Sequence, residues 1–150
     1  MSKSIILAMF VIALFFSNLT FAQNSENQTE WKLYKEVTGL QIFSSNLDCN
    51  DNQNGIHNRF VNFQFINTTT ETIDISWQYE FWYNEKCTTC DKPATVENTY
   101  KITLTPGESV EGDCNNTYSS GLKIFSSFIN TARGSKLTKF EFKNLEVTFK

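Results

Sequence analysis

The chain has 150 residues, 40% of them hydrophobic, and a formal net charge of −3. That length suits one domain with its own core. The mild acidity is spread along the chain without any basic run, which argues against nucleic acid or anionic membrane surfaces as partners.

The first residues read as a targeting segment. Lys3 gives a positive start, Ile5 to Phe16 form an uncharged apolar run, and Thr20-Phe21-Ala22 places small side chains where a signal peptidase inspects them. The run is shorter than the roughly 20 residues needed to span a bilayer. A signal peptide over 1–22 is predicted, cleaved after Ala22, and the absence of Cys at that junction argues against lipid attachment. Cleavage leaves 128 of the 150 residues and, with Lys3 gone, a net charge of −4. The expected product is exported, periplasmic or secreted, without stable membrane insertion. Polar residues 23–30 read as a flexible leader and 31–150 as a single domain.

Trp31 to Phe43 reads as a first strand whose phase changes: Leu33 and Val37 share one parity, Leu40 and Ile42 the other, with a bend expected at Gly39. Asn46 to Asn58, nearly devoid of apolar residues, reads as a loop. Arg59 to Ile66 alternates Val61, Phe63 and Phe65 with polar residues, and Asn67 to Thr72 reads as the turn of a hairpin into the next strand. That next strand, Ile73 to Tyr83, carries the strongest pattern in the chain. Ile73, Ile75, Trp77, Tyr79, Phe81 and Tyr83 fall on one face, and Asp74, Ser76, Gln78 and Glu80 on the other, broken only by Trp82.

Asn84 to Asn98 is a loop holding Cys87, Cys90 and Pro93, and Tyr100 to Leu104 alternates again as a strand. Thr105-Pro106-Gly107-Glu108 fits a type II turn, followed by a short edge strand over Ser109 to Asp113. Leu122 to Ile129 suits either a strand or a helix by periodicity; a strand ending near Ser126 is preferred. Leu137 to Phe149 closes the chain, with a bulge expected at Lys143-Asn144 where the apolar parity switches. The expected core holds Trp77, Phe63, Phe65, Tyr79, Ile102 and Phe142.

About seven strands with closely spaced turns predict an all-β, two-sheet antiparallel sandwich of immunoglobulin-like type, a small antiparallel barrel being the alternative. Trp77 resembles the buried strand-C Trp of immunoglobulin domains, although Phe63 or Phe65 and Ile124 stand where the flanking Cys residues would be. The order Trp77…Trp82-Tyr83…Cys87-x-x-Cys90…Pro106-Gly107-Glu108 also resembles secreted bacterial proteins of uncharacterised activity, a likeness that implies no chemistry.

Four cysteines, Cys49, Cys87, Cys90 and Cys114, are expected at one end of the sandwich as two disulfides. Three connectivities are open; Cys49–Cys114 with Cys87–Cys90 is preferred because the latter are already neighbours. A four-cysteine zinc site is the alternative. Cys87-Thr88-Thr89-Cys90 has the spacing of a catalytic dithiol, but lies in an inter-strand loop rather than at a helix N-terminus in an α/β fold, and reads as structural.

The single His57 lies in a polar stretch without a metal or nucleophile motif. Asn50 to Gly55 resembles a calcium loop, but its alternate positions are neutral Asn and its twelfth is Val61, so an Asn-Gly turn is expected. No cofactor, metal or enzymatic activity is expected. In the expected mature chain, glycosylation sequons begin at Asn27, Asn67 and Asn115. The candidate ligand surface is Trp82 with Gln78 and Glu80, an exposed indole beside hydrogen-bonding groups. The expected function is a binding or accessory module for a protein or glycan, with a purely structural, envelope-associated role as the alternative.

Overall fold

Period-two patterning across most of the chain makes strands, and each strand buries only one side, so two sheets must face each other. The computed structural model describes residues 30–90, 92–115, 121–131 and 134–150. The expected signal peptide, and the leader apart from Glu30, lie outside them. Among the described residues are nine strands: β1 (Lys32–Val37), β2 (Leu40–Asp51), β3 (Ile56–Asn67), β4 (Ile73–Tyr83), β5 (Lys86–Cys87), β6 (Tyr100–Leu104), β7 (Ser109–Glu111), β8 (Lys123–Phe128) and β9 (Leu137–Phe149). In the first sheet β1, β2 and β3 lie side by side, and β7 and β8 share the far edge of β3 end to end. In the second, β4 is central, with β9 along one edge and β6 and β5 sharing the other. All pairings are antiparallel, and the fold is an all-β sandwich.

Three local expectations are corrected. Trp31 to Phe43 is not one bent strand but a hairpin, β1 to β2, turning at Thr38-Gly39. Gly39 has φ +79°, a left-handed conformation that suits glycine in a tight turn. Asn46 to Asn58 is not a loop either: β2 and β3 stay paired out to Asp51 and Ile56, leaving only a short turn at the tip. Cross-strand polar pairs hold these outer rungs. Arg59 makes a two-bond ion pair to Asp48, at 2.7 Å on each oxygen, and His57 Nδ1 bonds Asn50 Oδ1 at 2.9 Å.

Finally, β3 and β4 are not a hairpin; they lie in different sheets, and Asn67 to Thr72 crosses between them. Asn67, fully buried, fixes the crossing. Its Nδ2 donates to the carbonyls of Glu71, Leu104 and Thr105, while its Oδ1 accepts from the N–H and Oγ1 of Thr69. A hairpin turn would leave that amide in solvent.

The core between the sheets holds Trp77, Phe63, Phe65, Tyr79 and Phe142 as expected, with Leu40, Ile42, Ile73, Ile75, Leu104, Leu122 and Ile124. Ile102 packs at its margin. Trp77 is fully buried between Phe65, 4.8 Å away by ring centroids, and Tyr100, at 5.7 Å. The bulge expected in β9 is present: register shifts between Ser76/Glu146 and Gln78/Lys143, with Asn144 at φ 48°. A second bulge lies in β1 around Tyr34, whose ring turns in to stack on Phe140. The edge strands β1 and β9 are therefore kinked, which opposes edge-to-edge pairing with another chain along them.

Candidate functional site

Gln78, Glu80 and Trp82 lie together on the outward face of β4, as the alternation predicts. Each is already engaged. Gln78 is buried and donates to Asn98 Oδ1 (2.7 Å) and Thr99 Oγ1 (3.1 Å), while its Oε1 accepts from Asn144 Nδ2 (2.7 Å). Glu80 pairs with Lys143 at 3.5 Å. Trp82 is half-buried, and the ammonium of Lys139 sits 4.3 Å from its ring centroid. Gln78 and Glu80 border a hollow of about 220 Å³ whose lining does not include Trp82. The three residues share a face but do not converge on one ligand position.

The cysteines form two bridges, Cys49–Cys114 and Cys87–Cys90. The strand directions place both at the same end of the sandwich, where β2 and β4 finish and β3 and β6 begin. Tyr83, at that end of β4, donates to the carbonyl of Phe125 in the opposite sheet at 2.7 Å, joining the two sheets there.

The Cys49–Cys114 bridge marks a feature of its own. Main-core residues Phe63 and Phe65 lie at odd positions of β3, so Phe60 and, on β2, its partner Leu47 point to the opposite, outward side of the sheet. Yet Leu47 and Phe60 are only 1% and 3% exposed. On that side the Cys49–Cys114 bridge ties Gly112 to Cys114 down against the sheet. Lys123 reinforces the tie, donating to the carbonyls of Asp113 (2.6 Å) and Cys114 (3.4 Å) with its ammonium 5.3 Å from the Phe60 ring centroid. Burial lowers the pKa of Lys123, and Asp113 partly opposes that shift. Buried Asn62 donates to the carbonyl of Gly112 at 2.7 Å, and a Cβ on Gly112 would collide with Asn62 Oδ1 and the Leu122 carbonyl.

Beside this second cluster opens a cleft of about 670 Å³, within the range of small-ligand sites. Ile56, Phe60 and the Cys49–Cys114 bridge give its apolar lining; Asp51, Asn52, Gln53, Asn58, Asn115 and Lys123 give the polar one. Its two charged groups are occupied. The Asp51 carboxylate accepts from Asn54 Nδ2 and from the N–H groups of Asn54 and Gln53, bonds that lower its pKa, and so closes the Asn-Gly turn. Lys123 is committed to carbonyls. The carboxamides of Asn52, Gln53 and Asn115, by contrast, make no side-chain hydrogen bond among the described residues. Among the described residues no donor reaches the buried side-chain oxygen of Asn58. Next to the cleft, Phe128 pairs with Asn58 across β3 and β8 and is 45% exposed, its ring 5.0 Å from that of Phe125.

Comparison with family models, curated proteins and solved structures finds no match. Among the described residues no group of His, Cys, Asp or Glu is placed to hold a metal ion, and no helix is long and apolar enough to cross a membrane. Of the sequons, Asn67 has its amide nitrogen buried and bonded to three carbonyls, so it cannot carry a glycan in the folded domain. Asn115 is exposed, and Asn27 lies outside the described residues.

The cleft was hidden in the sequence because its residues, read singly, make an Asn-rich turn. One signal pointed to it: apolar Leu47 and Phe60 stand out of phase with their neighbours, marking a strand pair buried on both sides.

Proposed function

We propose that this chain is an exported binding module, and that its ligand site is the cleft beside the Cys49–Cys114 bridge. The ligand class this geometry favours is a neutral, hydroxyl-rich molecule of oligosaccharide type. One observation carries the reading: the charges in the cleft are internally satisfied, while the carboxamides of Asn52, Gln53 and Asn115 and the buried oxygen of Asn58 are unspent. A carboxamide donates and accepts side by side, which matches vicinal hydroxyls, and an unmet buried acceptor gains most from a new donor. The exposed side chains of Ile56 and Phe128 offer apolar surface for the C–H faces of sugar rings. Two disulfides support export, since such bridges persist in oxidising compartments.

A glycan screen with the mature domain, followed by calorimetry on hits, tests the proposal. Binding that falls at least tenfold in Gln53→Ala and Asn58→Ala, with Trp82→Ala unaffected, is the expected result. Absence of any glycan ligand, or binding that follows Trp82 instead, overturns it and leaves the structural, envelope-associated role as the better reading.

A further inference from the structure

The Cys87–Cys90 bridge spans three positions of sequence and connects no two distant elements. The loop it lies in is already held without it. Thr88 N–H donates to the Phe81 carbonyl at 2.9 Å, and Thr89 Oγ1 both accepts from Phe81 N–H (2.9 Å) and donates to the Tyr79 carbonyl (3.2 Å). These bonds occupy the edge of β4 between its pairings with β6 and β5, so Thr89 takes the place of a strand residue. Cys87 itself is paired with Trp82. The bridge is therefore redundant for placing the loop, whereas Cys49–Cys114 joins residues 65 positions apart and holds a chain segment over the second cluster.

The sulfurs are also set up for chemistry. Cys90 N–H donates to Cys87 Sγ at 2.9 Å, a bond that strengthens when that sulfur carries a negative charge. Both cysteines are only half-buried, and the neighbouring Lys86 is exposed.

We propose that Cys87–Cys90 is a thiol–disulfide exchange site open to an external dithiol reductant, and not a staple of the fold. A thiolate of the reductant attacks Cys90 Sγ; the bond between the two cysteines breaks, and Cys87 leaves as a thiolate under the Cys90 N–H. The second thiol of the reductant, deprotonated, then attacks the reductant's own sulfur in the mixed disulfide and releases Cys90. Two electrons and, through water, two protons pass from the dithiol to Cys87 and Cys90, and the reductant ends as its disulfide. The Thr88 and Thr89 contacts keep the loop on β4 in both states.

The test is a dithiothreitol titration of the folded domain at pH 7, with alkylation and peptide mass analysis at each point and near-ultraviolet circular dichroism alongside. Cys87 and Cys90 should become alkylated at a reductant concentration at least tenfold below that needed for Cys49 and Cys114, with the dichroism unchanged. In the half-reduced protein, Cys87 should alkylate at least tenfold faster than Cys90. Opening of both bridges together, earlier opening of Cys49–Cys114, or equal rates at Cys87 and Cys90 overturns the proposal. The double variant Cys87→Ser, Cys90→Ser gives an independent check: it should keep the near-ultraviolet spectrum, and loss of that spectrum identifies the bridge as a staple.

Discussion

Replacing Asn67 by alanine removes a fully buried polar side chain that makes five hydrogen bonds. Its Nδ2 serves carbonyls at 2.8, 3.2 and 2.9 Å, and its Oδ1 accepts two bonds from Thr69 at 2.9 and 2.8 Å. Two amide hydrogens shared among three carbonyls amount to fewer than three full bonds, and the Glu71 and Thr105 carbonyls are partly exposed and can turn to water. With about 0.5–1.5 kcal/mol net for each bond, the expected loss is about 2–4 kcal/mol. Urea unfolding followed by tryptophan fluorescence should show a lower midpoint at unchanged slope. Asn67→Asp sharpens the test. A carboxylate keeps the acceptor role toward Thr69 but faces three carbonyls with no hydrogen to give, so its folded pKa should lie above its unfolded one. Its deficit relative to the parent should then be largest at neutral pH and shrink as pH falls through that raised value. A loss below about 1 kcal/mol for Asn67→Ala, or a deficit in Asn67→Asp that grows on acidification, refutes the claim that this side chain fixes the crossing between the sheets.

Other consequences follow from the packing and charges. Trp77→Ala should cost about 3–5 kcal/mol by urea unfolding, because the ring is fully buried against Phe65 and Tyr100. Trp77→Phe keeps an aromatic ring between Phe65 and Tyr100 and should recover more than half of that loss. Removing Cys49–Cys114 by paired alanines should cost about 4 kcal/mol on the loop-entropy estimate for its separation of 65. Asp74 and Glu141 have pKa values lowered by bonds from Lys150 and Lys139, and Glu108 by the Thr105 N–H and hydroxyl. Their folded values lie below the unfolded ones, so the stability they add is present above the ordinary carboxylate range and lost as pH falls through the depressed values. Melting temperature against pH should decline there. Added salt should flatten the Asp74 and Glu141 share more than that of Glu108, whose partner is neutral.

The sequence was most legible where one strand face is apolar and the other wet. The alternation from Ile73 to Tyr83 gave β4, its inward Trp77 and its outward Gln78, Glu80 and Trp82 without ambiguity, and the parity switch in the last strand gave the bulge at Asn144. It was least legible at the ends of β2 and β3. Asp48, Asn50, His57 and Arg59 have little strand propensity of their own, and only cross-strand partners that a linear reading cannot pair keep them in the sheet. Asn67 misled for a related reason: Asn-Thr-Thr is turn-like locally, and its burial depends on carbonyls of Leu104 and Thr105 from a distant strand end. Of the candidate site, the cysteine pairing was legible and the cleft was not. The cleft exists because a covalent tie folds Gly112 to Asn115 back over a sheet face that already carried Leu47 and Phe60.

The central claim, a glycan site beside Cys49–Cys114, is tested most directly by amide chemical-shift mapping of the ¹⁵N-labelled mature domain titrated with an oligosaccharide that binds it. The largest shifts should fall at Asn52, Gln53, Asn58, Asn115 and Phe128, with side-chain amide signals of the first four among them. Shifts concentrated on Gln78, Glu80 and Trp82, on the outward face of the other sheet, would contradict it.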